Sequence, residues 1–298
     1  MAPAVAIIGS NGFLFLPIVD AITSDFFKDK YAFPLRVLTR DPSKAESSEL
    51  VTYYKSDYSD PSTLDDALQG VHVVINLTSP NLVWNVVLDA IVRNNVPMYI
   101  MSDFGCDGRK LHVKSYLDFK KGHAQKAREL GVPKVVQIFT GLFQEFLVKF
   151  GTLGPNWQTG SATIIGDGNA PVTVTATRDI GLSVASLGYR PVDEIPEFVR
   201  VQGDMKTLNE IISIYMKVTG KNVAVEYDSA DVNSLHTLAD GNLMHSLKIL
   251  AANPQTETFN FPSTDNDFVN PGLWKWSSIE DGLQEAYDGM NPSGVLRF

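Results

Sequence analysis

The stretch "AVAIIGSNGFLFLPIVDAI", residues 4–22, decides the fold. Its first five residues are an apolar run of the length of a buried strand. Gly9-Ser10-Asn11-Gly12 then reads as a tight turn, and the apolar spacing that follows reads as a helix. Further along lie "LRVLT" (35–39), "HVVINL" (72–77), "PMYIMS" (97–102) and "KVVQIF" (134–139), short apolar runs separated by longer segments of helical pattern. One of these, "DPSTLDDALQG" (60–70), offers Asp or Ser as N-cap, acids in the first turn and a closing glycine. Another, "NLVWNVVLDAIVRNNV" (81–96), carries an apolar stripe at helical spacing. Strands and helices in alternation make right-handed βαβ units, hence an α/β chain with a doubly wound parallel sheet covered on both faces.

After about residue 150 the texture changes. "GTLGPNWQTG" is rich in glycine and polar residues, and "SATIIGDGNAPVTVTATRDIG" (161–181) reads as a hairpin followed by a helix start. Residues 1–150 are therefore expected to form the main domain and 151–298 a smaller lobe. The two should interleave, because "FVRVQG" (198–203) again reads as a strand and "TLNEIISIYMKVTG" (207–220) as a helix.

The 298 residues are 44% hydrophobic and carry a formal charge of −9 with no run of basic residues, so the overall field repels nucleic acid and anionic lipid. Cys106 is the only cysteine, which excludes an internal disulfide framework and a multi-cysteine metal site. No stretch has the length of a membrane span, and the N-terminus has no basic region before its apolar run. A cytoplasmic protein, monomeric or homodimeric, with a small-molecule partner and no metal, is expected. There is no H-E-x-x-H for zinc and no G-x-S-x-G for a serine hydrolase.

Glycines at the first strand-to-helix turn let a pyrophosphate approach the backbone, and the free N–H groups of the helix start face it. Gly9, Ser10, Asn11, Gly12 and Phe13 are thus candidate dinucleotide contacts. A third glycine of this fingerprint would stand at position 15, where the chain has Phe15. Arg40 and Lys44 follow the second strand in "VLTRDPSK". An arginine there suits the 2′-phosphate of NADPH and an acid suits the free ribose hydroxyls of NADH. Asp41 leaves both open, and Arg40, first after the strand, favours NADPH/NADP.

Taken together, "GSNGFLF", "VLTRDPSK", "SDYSDPSTLDDALQGVHVVINL", "MYIMSDFGCD" and "ATIIGDGNAPVTVTATRDIG" resemble the NmrA-like and isoflavone reductase-like branch of the atypical short-chain dehydrogenases/reductases. The resemblance spans nearly the whole chain. It implies a Rossmann-type sheet with a smaller α+β substrate lobe, and NADPH-dependent reduction of a small, often aromatic, substrate. An alternative within the same family is a non-catalytic NAD(P)-sensing regulator. The match also implies Asp57 near the adenine, Thr78 at the cofactor, and Ser102-Asp103-Phe104-Gly105 at a strand end beside the substrate. It places Lys120 at the family's catalytic lysine, with Lys121 one residue away. Gly141 stands where many relatives have asparagine.

Tyr116 lies four residues before Lys120, the spacing of the proton-delivering dyad of the wider short-chain dehydrogenases, and is either the proton donor or a plain helix aromatic. Ser102 could supply a third hydrogen bond. His123, three residues past Lys120, is a candidate for shaping the substrate pocket, as are Phe104 and Phe143, while Phe146, Trp157 and "LWKW" (273–276) could wall a pocket between the lobes.

Overall fold

A computed structural model describes residues 2–78, 83–112, 114–115, 117–229 and 243–289. The first half of the chain runs β1 (Ala4–Ile8), α1 (Phe15–Thr23), β2 (Ala32–Thr39), β3 (Val51–Lys55), α2 (Ser62–Leu68), β4 (Val73–Asn76), α3 (Val83–Arg93), β5 (Met98–Ile100), α4 (Leu117–Glu129) and β6 (Lys134–Phe139). It continues through β7 (Leu142–Phe143), α5 (Gln144–Phe150), β8 (Pro155–Asn156), β9 (Ser161–Ile165), β10 (Pro171–Thr175), α6 (Thr177–Gly188) and β11 (Phe198–Arg200). The last described elements are β12 (Asp204–Thr207), α7 (Leu208–Thr219), β13 (Ala224–Asp228), α8 (Leu243–Ala252), α9 (Asn266–Val269) and α10 (Ile279–Asp288).

Seven of these strands form one sheet in the order β11-β6-β5-β4-β1-β2-β3, every pair parallel. The alternation of strand side chains divides its two faces. Val5 and Ile7 of β1 point into one buried cluster with Ile75, Ile100, Ile138, α1 and α6. Ala6 and Ile8 point into the other with Leu38, Val74, Val135 and the apolar faces of α2, α3 and α4. A parallel sheet buried on both faces is the doubly wound arrangement that the alternation of the sequence predicts. β3, "VTYYK", is a further strand beyond the five apolar runs, half-buried at the sheet edge.

Phe15 is buried in the first of these clusters, so the residue that replaces a fingerprint glycine serves as core beneath the turn. The close approach that α1 needs is provided by its partner helix: a Cβ on Gly181 of α6 would lie 2.2 Å from the Pro17 carbonyl oxygen.

The predicted hairpin at 161–181 is not formed. β10 pairs with β12 and β7 in one three-stranded sheet, whereas β9 pairs with β13 and β8 in another. Glycines at 166 and 168, both at positive φ, do turn the chain, but the strands on either side leave for different sheets. Their common core holds Trp157, Ile164, Val172, Ile211 and Tyr215. Gly141 sits at φ 65° with its missing Cβ 2.2 Å from the Thr173 carbonyl oxygen, a place no asparagine side chain could occupy without displacing β10.

Candidate active site

The strand order reverses between β1 and β4, and in open α/β sheets the crevice beyond the carboxyl ends at such a point is where ligands bind. Here the crevice is a cleft of about 440 Å³ walled by Gly9 to Gly12, Arg40, Ser56, Tyr58, Leu77 and Thr78. Gly9 has φ 102°, and a Cβ on it would crowd the Leu77–Thr78 backbone at 3.2 Å. Gly12 differs: its φ is ordinary and a Cβ would meet nothing nearer than the Leu77 carbonyl oxygen at 3.8 Å. The fold itself tolerates a side chain at position 12, so the small residue keeps the cleft open. The α1 helix begins just beyond with no side-chain cap; its Phe15 N–H donates to the Gly12 carbonyl and Pro17 has no N–H, so the helix dipole is the main thing this end offers an anion. These features form a cradle of the size and polarity a pyrophosphate needs.

Among the described residues Arg40 is the one ionised side chain in that wall. Asp41, which left the sequence reading open, is turned away: its carboxylate accepts from the N–H and hydroxyl of Ser43 at 3.2 and 2.6 Å and pairs with Lys44 at 3.3 Å. Those contacts hold the carboxyl below its usual range, with the Ser43 bond first among the causes. Lys44 is thereby engaged at the surface and does not line the cleft. Asp57 does not line it either, since its carboxylate accepts from Ser59 and faces Lys55. The wall at this point is formed by its neighbours Ser56 and Tyr58, and the buried Ser56 hydroxyl beside Tyr58 has no hydrogen-bond partner of ordinary geometry. An orphaned hydroxyl at the end where the adenosine would lie fits a bound dinucleotide. Alternation along the end of β3 was the signal for Ser56 and Tyr58.

Through Gly12 and Leu77 the cleft opens into a pocket of about 200 Å³ lined by Phe13, Leu14, Ser102, Phe104 and Phe143. It is mostly apolar, with the Ser102 side chain as its polar group. Asp103, between Ser102 and Phe104, is buried with its carboxylate elsewhere: Gln137 Nε2 donates to it at 2.6 Å and Lys120 Nζ lies at 3.3 Å. Burial pushes the Asp103 carboxyl above its usual range, while Lys120 and Gln137 pull it down. Lys120 borders a small separate space with Cys106, Arg109 and Phe139, and lines neither part of the cleft. Lys121 is committed to the Leu111 carbonyl at 2.6 Å and to Asp118 at 3.3 Å. Tyr116 lies outside the described residues.

His123 is not a pocket residue. It is buried under α4 against Trp84, with ring centroids 4.3 Å apart, and its Nε2 lies 2.9 Å from the Tyr99 hydroxyl. Tyr99 accepts from Asn76 Nδ2 at 2.9 Å, and Asn76 Oδ1 accepts from the N–H and hydroxyl of Thr78 at 3.0 and 2.7 Å. Because Tyr99 accepts from the amide, its own proton is free for His123, which suits an unprotonated Nε2. Burial, with Lys126 nearby, takes the imidazole down to about 4. A buried polar chain thus runs from Thr78 on the cleft wall to the helix that carries Lys120. No spacing in the sequence announced it, since its members come from three separate elements.

Trp157 and Trp274 do not wall a pocket either. Trp157 stacks on Tyr215 at 4.2 Å and donates to the Leu147 carbonyl, and Trp274 packs on Phe27 and Trp276. Phe146 does reach the site, edge-to-face with Phe13 at 4.9 Å. Among the described residues no group of His, Cys, Asp and Glu could hold a metal ion, and no helix is long and apolar enough to cross a membrane.

Comparison with known proteins agrees with this geometry. An isoflavone reductase homolog of Solanum tuberosum is 25% identical over 233 residues, covering 72% of this chain and 74% of its own. The isoflavone reductase homolog P3 of Arabidopsis thaliana is 25% identical over 241 residues, covering 74% and 76%. The structure of AtPrR2 with NADP+ and (+)pinoresinol superposes with a TM-score of 0.76 at 19% identity, over 96% of this chain and 99% of that one. The leucoanthocyanidin reductase–NADPH complex from Vitis vinifera gives 0.75 at 15% identity, over 95% and 98%. The NmrA-like family model matches residues 1–260. The chain belongs to the NmrA-like family.

Proposed function

We propose that this protein is an NADPH-dependent reductase of a small aromatic compound. The observation that carries the reading is one continuous cleft across the sheet's reversal point, with a phosphate cradle in the middle, a lone arginine at one end and an aromatic pocket holding a serine at the other. Relatives described as isoflavone reductase homologs, and fold neighbours solved with NADP+ or NADPH, support it.

In this reading the turn from Ser10 to Phe13 receives the pyrophosphate on its backbone N–H groups at the positive end of the α1 dipole, with the Ser10, Asn11 and Thr78 side chains alongside. Arg40 takes the 2′-phosphate through two parallel hydrogen bonds. When bound, NADPH would supply the hydride. Phe104 and Phe143 wall the pocket around the reacting end of the substrate, and Ser102 hydrogen-bonds the polar atom next to the carbon being reduced. By the family resemblance Lys120 manages the proton, acting from behind the pocket wall where its ammonium pairs with Asp103 at 3.3 Å, and Tyr116 is the candidate for the direct donor. Asp57 and Lys44 act at the surface and not on the cofactor, and His123 supports α4 from below.

The test is NADPH consumption, followed by absorbance, over a panel of quinones, enones, imines and phenylpropenyl compounds. Turnover with at least one class, faster with NADPH than with NADH, is expected. Tight NADPH binding with no turnover across the panel would point instead to a cofactor sensor.

A further inference from the structure

Beyond Phe13 the cleft continues into a wide trough of about 600 Å³, a volume that suits a small organic ligand. Phe13, Phe146 and Phe150 form an apolar wall, with edge-to-face centroid distances of 4.9 Å between the first two and 6.0 Å between the last two. From α8 come Met244 and, one turn further along the same helix face, Lys248. Much of the apolar surface is open: Phe13 is 62% exposed, Phe150 51% and Met244 45%. Large side chains of this kind gathered around one concavity are a surface for a ligand to cover.

Among the described residues Lys248 is the single ionised side chain lining the trough, and none of the others lining it is a carboxylate. It is half-buried, and among the described residues it forms no ion pair. A neutral ligand lying across the aromatic wall would strip water from that ammonium and give nothing in return, which costs free energy. A ligand with a carboxylate would replace the lost water by a charge-assisted hydrogen bond. The chain as a whole is acidic, at −9, so its long-range field opposes anions and any preference for them must be local.

We propose that the trough selects an aromatic carboxylate, with its ring on Phe13, Phe146 and Phe150 and its carboxylate on Lys248. The reaction centre is then at the other end of the molecule, next to Ser102. This inference rests on the reductase reading for what lies beyond Phe13, but it is tested by binding alone.

Cinnamate and its methyl ester share ring and chain and differ in charge at pH 7. Each is titrated calorimetrically into the full chain, with and without NADP, and into Lys248→Met, which keeps an unbranched apolar stem. The acid should bind about fivefold tighter than the ester, a typical gain for one partly exposed charge-assisted contact, and Lys248→Met should remove that difference while leaving ester affinity intact. Affinity of the variant for NADP should be unchanged, which also reports that it is folded. Equal affinity for acid and ester, no binding of either, or a preference that survives in Lys248→Met would overturn the proposal. Failure of NADP itself to bind would strike the reductase reading, and the acid-to-ester comparison made without NADP would still decide this one.

Discussion

In the proposed function Arg40 carries the choice of cofactor: the acid beside it is spent on Ser43 and Lys44, and among the described residues no other ionised group lines the adenosine end. Arg40→Ala should therefore weaken NADPH by about 1.5–3 kcal/mol, the worth of hydrogen bonds to a charged group, and leave NADH nearly unchanged in parallel titrations. Equal losses would make the residue structural. Lys120→Ala should lower kcat by about 100-fold on a confirmed substrate, the usual contribution of a positioned acid or base. Lys121→Ala should spare kcat, because Lys121 is held by Leu111 and Asp118. The sequence left those two lysines one slip apart; Lys120 pairs with the buried Asp103 and Lys121 with the more exposed Asp118, and the two variants decide between them. His123 makes a prediction about pH. Its pKa is lowered from 6.5 to about 4, so between those values the unfolded chain takes up a proton that the folded chain refuses. Its contribution to stability is complete above about pH 6.5 and is lost as pH falls toward 4. Urea unfolding at pH 7 and pH 5 should show this drop, and His123→Leu should shrink it. A drop that stays the same size in the variant would remove His123 as a source.

Contacts between elements explain which readings of the sequence were possible. The apolar runs at 4–8 and 134–139 are strands with those bounds, because burial on both faces is written in the residues themselves; the segment at 60–70 contains α2, but its N-cap is Pro61 with no side-chain cap, the Asp60 carboxylate accepting from the Ser62 N–H instead. The hairpin expected at 161–181 was misread for the opposite reason. A turn and two flanking runs are local features, whereas β9 finds its parallel partner at 224–228 and β10 its antiparallel partner at 204–207. The packing of α1 on α6 depends on Gly181, which sits in a motif that does not reveal its role. Gly181→Ala would drive a methyl into the Pro17 carbonyl and should destabilise the chain by about 2 kcal/mol, within the range for overpacked sites. Denaturant midpoints with an unchanged slope measure it, and a midpoint within error of the parent would mean that the helices can part freely.

At the scale of the molecule, the site exists because several parts of the chain converge on one reversal in strand order. The turn after β1, the end of β2, the end of β3 and the end of β4 meet there, and Phe143 from the start of the smaller sheets closes the far side. The glycine turn, Arg40, Thr78, Ser102 and Phe104 line the cleft as the sequence reading expects because each follows a strand, and ligand contacts in this architecture gather at strand ends. Ser56, the Asp103–Lys120 pairing, the Thr78-to-His123 chain and the trough along α8 were not legible, since each depends on which way a side chain turns or on elements distant in sequence. The central claim is that the cleft at the reversal is a dinucleotide site, and Gly12 offers the sharpest handle because the fold does not need its lack of a side chain. The most direct measurement is a calorimetric titration of NADPH into the parent protein and into Gly12→Val, with thermal unfolding of both as the control. Saturable binding by the parent, loss of binding by the variant and melting temperatures that stay close are the predicted result. A folded Gly12→Val protein that binds NADPH as tightly as the parent would contradict it.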